Sequence, residues 1–351
     1  IGRNGGVYNS NYFQGIIDDL TIWNTVVSST EIQSHMNGSL TGEENGLVGL
    51  WKFNTGADTI AYDHSGNANH GDINGASWVV ALTYVPDDNF EQALIDLGYD
   101  YVIDNFVITD SISEVTTLNV SNDSISDLTG IEDFIALESL NCSYNQLTSL
   151  TLSSVAPMTG YLLCTANQLT SLDVSNYPDL NHLNVEQNLL TALDVSSNTA
   201  LTNLNCYYNQ LDSLDVSSNT ALTNLHCGYN QLTSLDVSSN TALTNLNCYS
   251  NLLTSLDVSA NTALTSLYCS NNLLTHLNMR NGVTDALTTF NATNNDSLEC
   301  IETLDPDYAT ENWTYENGNI DEGVTFSVNC LFPPVVSIPD TSMNEDSEFF
   351  Y

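Results

Sequence analysis

Between residues 199 and 261 the chain writes nearly the same string three times: TALTNLNCYYNQLDSLDVSSN, TALTNLHCGYNQLTSLDVSSN and TALTNLNCYSNLLTSLDVSAN. Cys206, Cys227 and Cys248 mark a period of 21 residues. A unit this short cannot bury a core of its own, whereas stacked copies bury one between them. The fold expected is therefore a mainly β solenoid. Such a molecule offers long regular faces, so the functional question becomes what a face can hold.

Each unit contains LxxLxCxxN, as in Leu222, Leu225, Cys227 and Asn230, followed by a second half, Leu235-Asp236-Val237-Ser238-Ser239-Asn240. This pattern resembles the core of the leucine-rich repeat, over roughly residues 110–300. Both halves alternate inward apolar with outward polar residues, which predicts two short strands per coil and parallel sheets on two faces. The asparagine column is Asn145, Asn167, Asn188, Asn209, Asn230, Asn251, Asn272 and Asn295. The resemblance implies that these side chains turn inward and bond the backbone of adjacent coils at the bend.

Cys142, Cys164, Cys206, Cys227, Cys248 and Cys269 share one inward position, with Val185 and Ala292 standing in the same register. A metal ligand does not alternate with Val, but a small apolar core residue does, so packed free thiols are expected. Cys300 and Cys330 fall outside the period, and there a disulfide pinning a short cap is expected, which suits an oxidising compartment.

The second half-unit carries Asp173, Asp194, Asp215, Asp236 and Asp257. Stacked at strand spacing these like charges repel unless bonded, hydrated or bridged by metal. Two readings stay open: each accepts hydrogen bonds from nearby Ser, Thr or backbone groups, or Asp194, Asp215, Asp236 and Asp257 form weak cation sites. No cofactor is required, and Ca²⁺ is left open.

The positions that vary from coil to coil flank the cysteines: Asn184 and Glu186, Asn205 and Tyr207, His226 and Gly228, Asn247 and Tyr249, Tyr268 and Ser270. Tyr144, Tyr208 and Tyr229 lie one step further. Tyrosine offers an apolar body with a polar tip, so Tyr207, His226, Tyr249, Tyr268, Asn205 and Asn247 are the candidates for a ligand face. Ordinary stacked tyrosines of a β-surface are the competing reading. No catalytic residue is identified: the six histidines show no metal spacing, and no nucleophile elbow or phosphate loop is present. Asp305 and Asp307, a carboxylate pair in the cap, suit solvation or Ca²⁺ better than glycoside hydrolysis.

The 43 acidic residues against 3 basic ones, net −40, cannot neutralise phosphates, which argues against nucleic acid and anionic lipid. Adaptation to saline water or bound Ca²⁺ would each accommodate such a charge. No apolar run of about 18 residues exists, so no membrane insertion is expected.

Five segments are expected. In residues 1–80, GIIDDLTIWN (15–24), GLVGLWKFN (46–54) and SGNANHG (65–71) resemble part of a concanavalin-like, laminin-G-like jelly roll. Residues 81–114 hold a linker and cap helix, with Asp87 or Asp88 capping a turn-by-turn apolar face of Phe90, Leu94 and Ile95. Residues 115–298 are the repeats, 299–332 a C-terminal cap, and 333–351 a linker and the start of a further β domain. The whole resembles leucine-rich-repeat surface proteins of marine Bacteroidota. That resemblance implies a slice of a larger, secreted or cell-surface protein that uses type IX secretion. It also implies a non-enzymatic role in adhesion or recognition of an extracellular glycan or protein. An accessory region of a polysaccharide-degrading enzyme and a structural spacer of a filament or stalk are the alternatives. Oligomeric state has no signature in the sequence.

Overall fold

The computed structural model describes residues 17, 19–37, 40–53, 59–73 and 80–330. The segment 333–351, expected to open a further domain, lies outside the described residues, as do Gly15, Ile16 and Asp18 of the jelly-roll motif. The chain divides into two units, Ile1–Glu138 with Thr151–Pro157, and Ser139–Leu150 with Met158–Tyr351.

In the first unit, β1 (Leu20–Trp23) pairs antiparallel with β2 (Leu47–Trp51), and β3 (Ile60–Ala61) pairs antiparallel with β4 (Gly71–Asp72). Helix α1 (Ser29–Asn37) starts where Ser28 and Glu31 bond reciprocally: Ser28 N donates to Glu31 and Glu31 N donates to Ser28 Oγ. Asp63 organises the DHSGNANH loop by accepting from the backbone of Leu50, Ser65 and Asn69.

Downstream, β5 (Leu82–Tyr84) pairs antiparallel with β6 (Phe106–Ile108), enclosing helix α2 (Asp88–Asp96). Asp87 caps α2, accepting from Asn89 N and Phe90 N through one oxygen. Its other oxygen accepts from Ser126 N, Ser126 Oγ and Asp127 N, which ties the helix to the first coil. Burial resists ionisation of Asp87, but these donors outweigh it and hold the carboxyl below its ordinary range. Phe90 and Leu94 are buried as the periodicity requires, and the Phe90 ring lies 6.4 Å from Phe134. Ile95 is only half-buried, and Glu91 takes the buried place instead. Its Oε1 accepts from Asp104 N and Phe106 N, so this carboxylate staples a loop to the helix. A short α3 (Thr109–Ile112), β7 (Thr117–Asn119) and a 3-10 turn (Ile131–Asp133) follow.

The second unit is a parallel β-solenoid of leucine-rich-repeat type. Its main sheet runs through β8 (Ser139–Asn141), β9 (Tyr161–Leu163), β10 (His182–Asn184), β11 (Asn203–Asn205), β12 (Asn224–His226) and β13 (Asn245–Asn247). After β14 (Ser255–Asp257), which lies in another sheet, the main sheet continues with β15 (Ser266–Tyr268) and β17 (Thr289–Asn291). Neighbours pair in perfect repeat register, as Leu204 with Leu225 and Leu225 with Leu246. The strand leucines and the following cysteines are essentially without exposure, and together they form the core.

Two strands in every coil were expected, and the second appears only late. β14, β16 (His276–Met279), β18 (Cys300–Thr303) and β19 (Thr325–Ser327) form a separate four-stranded parallel sheet. In the preceding coils the carbonyls of Val174, Val195, Val216 and Val237 accept from the side chains of Asn198, Asn219, Asn240 and Asn261.

Residues 280–330 are held by several independent ties. Cys300 and Cys330 form a disulfide with their Cα atoms 5.8 Å apart. Arg280 reaches Glu302 at 3.0 Å and Asn329 at 2.8 Å, while Glu302 accepts from Cys330 N. Helix α4 (Pro306–Asn312) is capped by Asp305, which is thereby assigned a structural task. Trp313 is buried with its ring 4.6 Å from Phe290 and 5.8 Å from Phe326. No helix among the described residues is long and apolar enough to cross a membrane.

Candidate functional site

The bend that ends each sheet strand places the outward side chains. Asn230 Oδ1 accepts from Leu211 N, and its Nδ2 donates to the carbonyls of Cys206 and Cys227, so one side chain joins two coils. Asn167, Asn188, Asn209, Asn251, Asn272 and Asn295 repeat the arrangement. Asn145, in the first of these coils, donates to Cys142 O. The residue before each is left-handed: Tyr144, Ala166, Gln187, Tyr208, Tyr229, Ser250, Asn271 and Asn294 all have φ between 49° and 58°. A non-glycine residue there costs about 1 kcal/mol, which the asparagine bonds offset.

The thiols behind this surface are inert core. Cys142 and Cys164 lie 3.6 Å apart at sulfur, and the hydrogen bond between them, with burial, raises Cys164. Burial pushes Cys206 and Cys248 up to about 12, and Cys227 and Cys269 rise for the same reason. Cys164, Cys206, Cys227, Cys248 and Cys269 therefore stay protonated at any physiological pH.

On the outer face the candidates fall into two rows. Asn205, His226, Asn247 and Tyr268 are direct neighbours across β11, β12, β13 and β15. Two residues beyond that row in each coil stand Glu186, Tyr207, Gly228 and Tyr249. The Tyr207 and Tyr249 rings are each edge-to-face with Tyr229, at 5.2 and 5.0 Å with interplanar angles of 75° and 79°. Tyr208 lies 5.3 Å from Tyr229 and 6.4 Å from Tyr207. The Tyr229 and Tyr249 hydroxyls are 3.0 Å apart. Burial raises the Tyr207 phenol first, with neighbouring tyrosines and Glu186 adding to it, while the bond to Tyr249 raises Tyr229. The Tyr207 and Tyr229 rings are therefore neutral. Tyr268, at 36% exposed, makes no ring contact with the cluster among the described residues.

Gly228 makes the cluster possible. A Cβ at this position would sit 2.8 Å from Tyr249 O and 3.0 Å from the Tyr207 ring, so any side chain would displace the packing. It is the one glycine of the three near-identical repeats. Glu186, not selected from sequence, accepts from Asn205 Nδ2 at 2.9 Å. Its charge lifts the pKa of half-buried His226 against the larger effect of burial, which lowers it.

The aspartates of the opposite side are exposed. Asp173, Asp194, Asp215, Asp236 and Asp257 each accept the backbone N–H two residues on, from Ser175, Ser196, Ser217, Ser238 and Ser259. Among the described residues no group of three His, Cys, Asp or Glu side chains is placed to hold a metal ion.

No family model matches the chain. It is 41% identical over 70 residues to Internalin J of Listeria monocytogenes serotype 4b (strain F2365), a stretch amounting to 20% of this chain and 8% of that protein. Among solved structures it is similar to the functional domain of InlJ from Listeria monocytogenes, described as including a cysteine ladder. Identity there is 32% and the TM-score 0.50, over 64% of this chain and 57% of that one. An internalin (inlF) from the same species matches at 19% identity and a TM-score of 0.49, over 70% of this chain and 75% of that one. The chain thus spans 8% of the curated relative and 57% of the solved InlJ domain.

Proposed function

We propose that this chain is a non-catalytic recognition module whose ligand-contacting surface is the sheet face around Tyr207, Tyr208, Tyr229 and Tyr249. One observation carries the reading. Four tyrosines from three consecutive coils converge on an open face, over a glycine that leaves room for them, with Tyr208 54% and Tyr229 38% exposed. Tyrosine is enriched among residues that dominate binding energy, and an aromatic group on a rigid sheet loses little entropy on contact. His226, Asn205 and Asn247 line the adjoining row and supply polar contacts. Similarity to internalin proteins supports a recognition role in bacteria.

The same reading places the chain outside the cell or on its surface, which the Cys300–Cys330 disulfide supports. It takes residues 1–80 as part of a jelly roll, 81–114 as the N-terminal cap, 115–298 as the repeats and 299–332 as the C-terminal cap. A secreted Bacteroidota protein and a partner that is an extracellular protein or glycan extend it. The test is binding of the full chain to panels of extracellular proteins and glycans, compared with Tyr229→Ala and Tyr249→Ala. A ligand whose affinity drops at least about tenfold in both variants is expected. Ligand binding indifferent to both substitutions would sink the assigned face, and no binding anywhere would favour the spacer reading.

A further inference from the structure

The second unit contains one basic side chain outside the histidines, Arg280, and it is committed to Glu302 and Asn329 at the C-terminal cap. The tyrosine cluster therefore has no cation of its own unit to stack on. Glu186 is the sole acid on the outward positions of the sheet from β8 to β17. Only its Oε2 is engaged, by the neutral amide of Asn205, and it belongs to no ion pair among the described residues. The half-buried Glu186 stands one coil from Tyr207, at the edge of the ring cluster, where positive charge is attracted twice over. The ring faces carry negative quadrupole potential, and the carboxylate supplies a full charge.

We propose that Tyr207, Tyr229 and Tyr249 with Glu186 form a cation-receiving site, and that its ligand is a basic segment of a partner protein presenting an arginine or lysine side chain. This deepens the recognition reading above and rests on it. Two observations favour a cationic side chain over a sugar. Neighbouring rings are turned 75° and 79° to one another, which presents a cation with several faces rather than a pyranose with one flat platform. The chain's net charge of −40 steers basic partners toward it and repels acidic polysaccharide. Arginine fits best, because its planar guanidinium stacks on a ring while its remaining N–H groups reach the carboxylate.

The experiment is a titration of the full chain with a nonaarginine peptide, alongside oligolysine and a neutral cello-oligosaccharide, at two salt concentrations. Glu186→Gln and Tyr229→Leu are compared with Asp215→Asn, which removes one charge from the other side of a coil. Glu186→Gln and Tyr229→Leu should each weaken nonaarginine binding about three- to tenfold, with Asp215→Asn unchanged. Equal losses in Glu186→Gln and Asp215→Asn would mean that the peptide senses only the overall field, and would overturn the site. If Tyr229→Leu abolishes oligosaccharide binding while Glu186→Gln is silent, the recognition face stands and its cationic ligand falls. Tyr229 is exposed and Gln can keep the Asn205 bond, and melting curves of both variants check that folding is intact.

Discussion

The two sides of each coil use asparagine differently. On the sheet side, Asn230 and its counterparts use both ends of the amide: the oxygen accepts a leucine N–H and the nitrogen serves two carbonyls. On the opposite side, Asn198, Asn219, Asn240 and Asn261 are completely buried and donate to two carbonyls each, but their Oδ1 atoms have no partner. An unpaired buried acceptor costs about 1–3 kcal/mol. The asparagine column at the sheet-side bend is thus fully bonded and the opposite column incompletely bonded. The lesson is that the surface varies most where the bend behind it is held at both ends of each amide. The tyrosines, the histidine and the strained left-handed residues all sit on the sheet side.

That contrast can be broken most directly by removing one asparagine from each column. Asn230→Ala strips partners from Leu211 N and two buried carbonyls, and should cost about 2–4 kcal/mol in chemical denaturation. Asn240→Ala removes two donors but also an unpaired oxygen, so a smaller loss of about 1–2 kcal/mol is expected. Equal losses would show that the two columns bear equally on stability. A smaller effect sharpens the account of the core behind the sheet. Cys227→Val should change stability by less than about 1.5 kcal/mol, because the thiol acts as a small apolar group, and Cys227→Ser should cost more by burying a hydroxyl. None of the six thiols should react with a disulfide reagent until the chain is unfolded, and rapid reaction in the native state would contradict their burial.

The smallest effect belongs to the aspartate column. Hydrogen bonds from the serines two residues on hold Asp173, Asp194, Asp215 and Asp236 below the ordinary value. A carboxyl lowered by folding stabilises above its unfolded value, about 3.9, and loses that contribution as pH falls through the folded one. The small melting difference between wild type and Asp215→Asn should therefore close below about pH 4 and stay constant above it. Added Ca²⁺ should leave the melting midpoint unmoved, since these oxygens already accept backbone bonds. A clear upward shift would give the column a metal role.

Much of the scaffold was legible because a 21-residue period leaves few ways to stack. The sheet-side asparagines were legible through the LxxLxCxxN pattern. The second column stood in equally plain sight, in the SSN and SAN strings, and its period alone would have separated it from ordinary turn residues. Glu186 and Gly228 were harder, because their importance comes from what stands one coil away. The ligand-face stripe read along the chain mixes two rows of the sheet. Tyr207 and Tyr249 cluster, and Tyr268 belongs to the row of His226. A rise of one coil brings residues 21 apart into contact, while a shift of two along the strand moves a side chain by one pleat repeat, roughly 7 Å, on the same face.

The sequence by itself determined the coil, its inward leucines and cysteines, and the sheet-side bend, because a fixed period can satisfy burial and backbone bonding in essentially one arrangement. Only the tertiary structure decided which variable side chains meet. Ring contact among Tyr207, Tyr208, Tyr229 and Tyr249 depends on the coil-to-coil stacking distance and on the space above Gly228. Tertiary structure also decided where the second sheet begins. Periodicity constrains what is the same in every coil, and contact distance settles what differs.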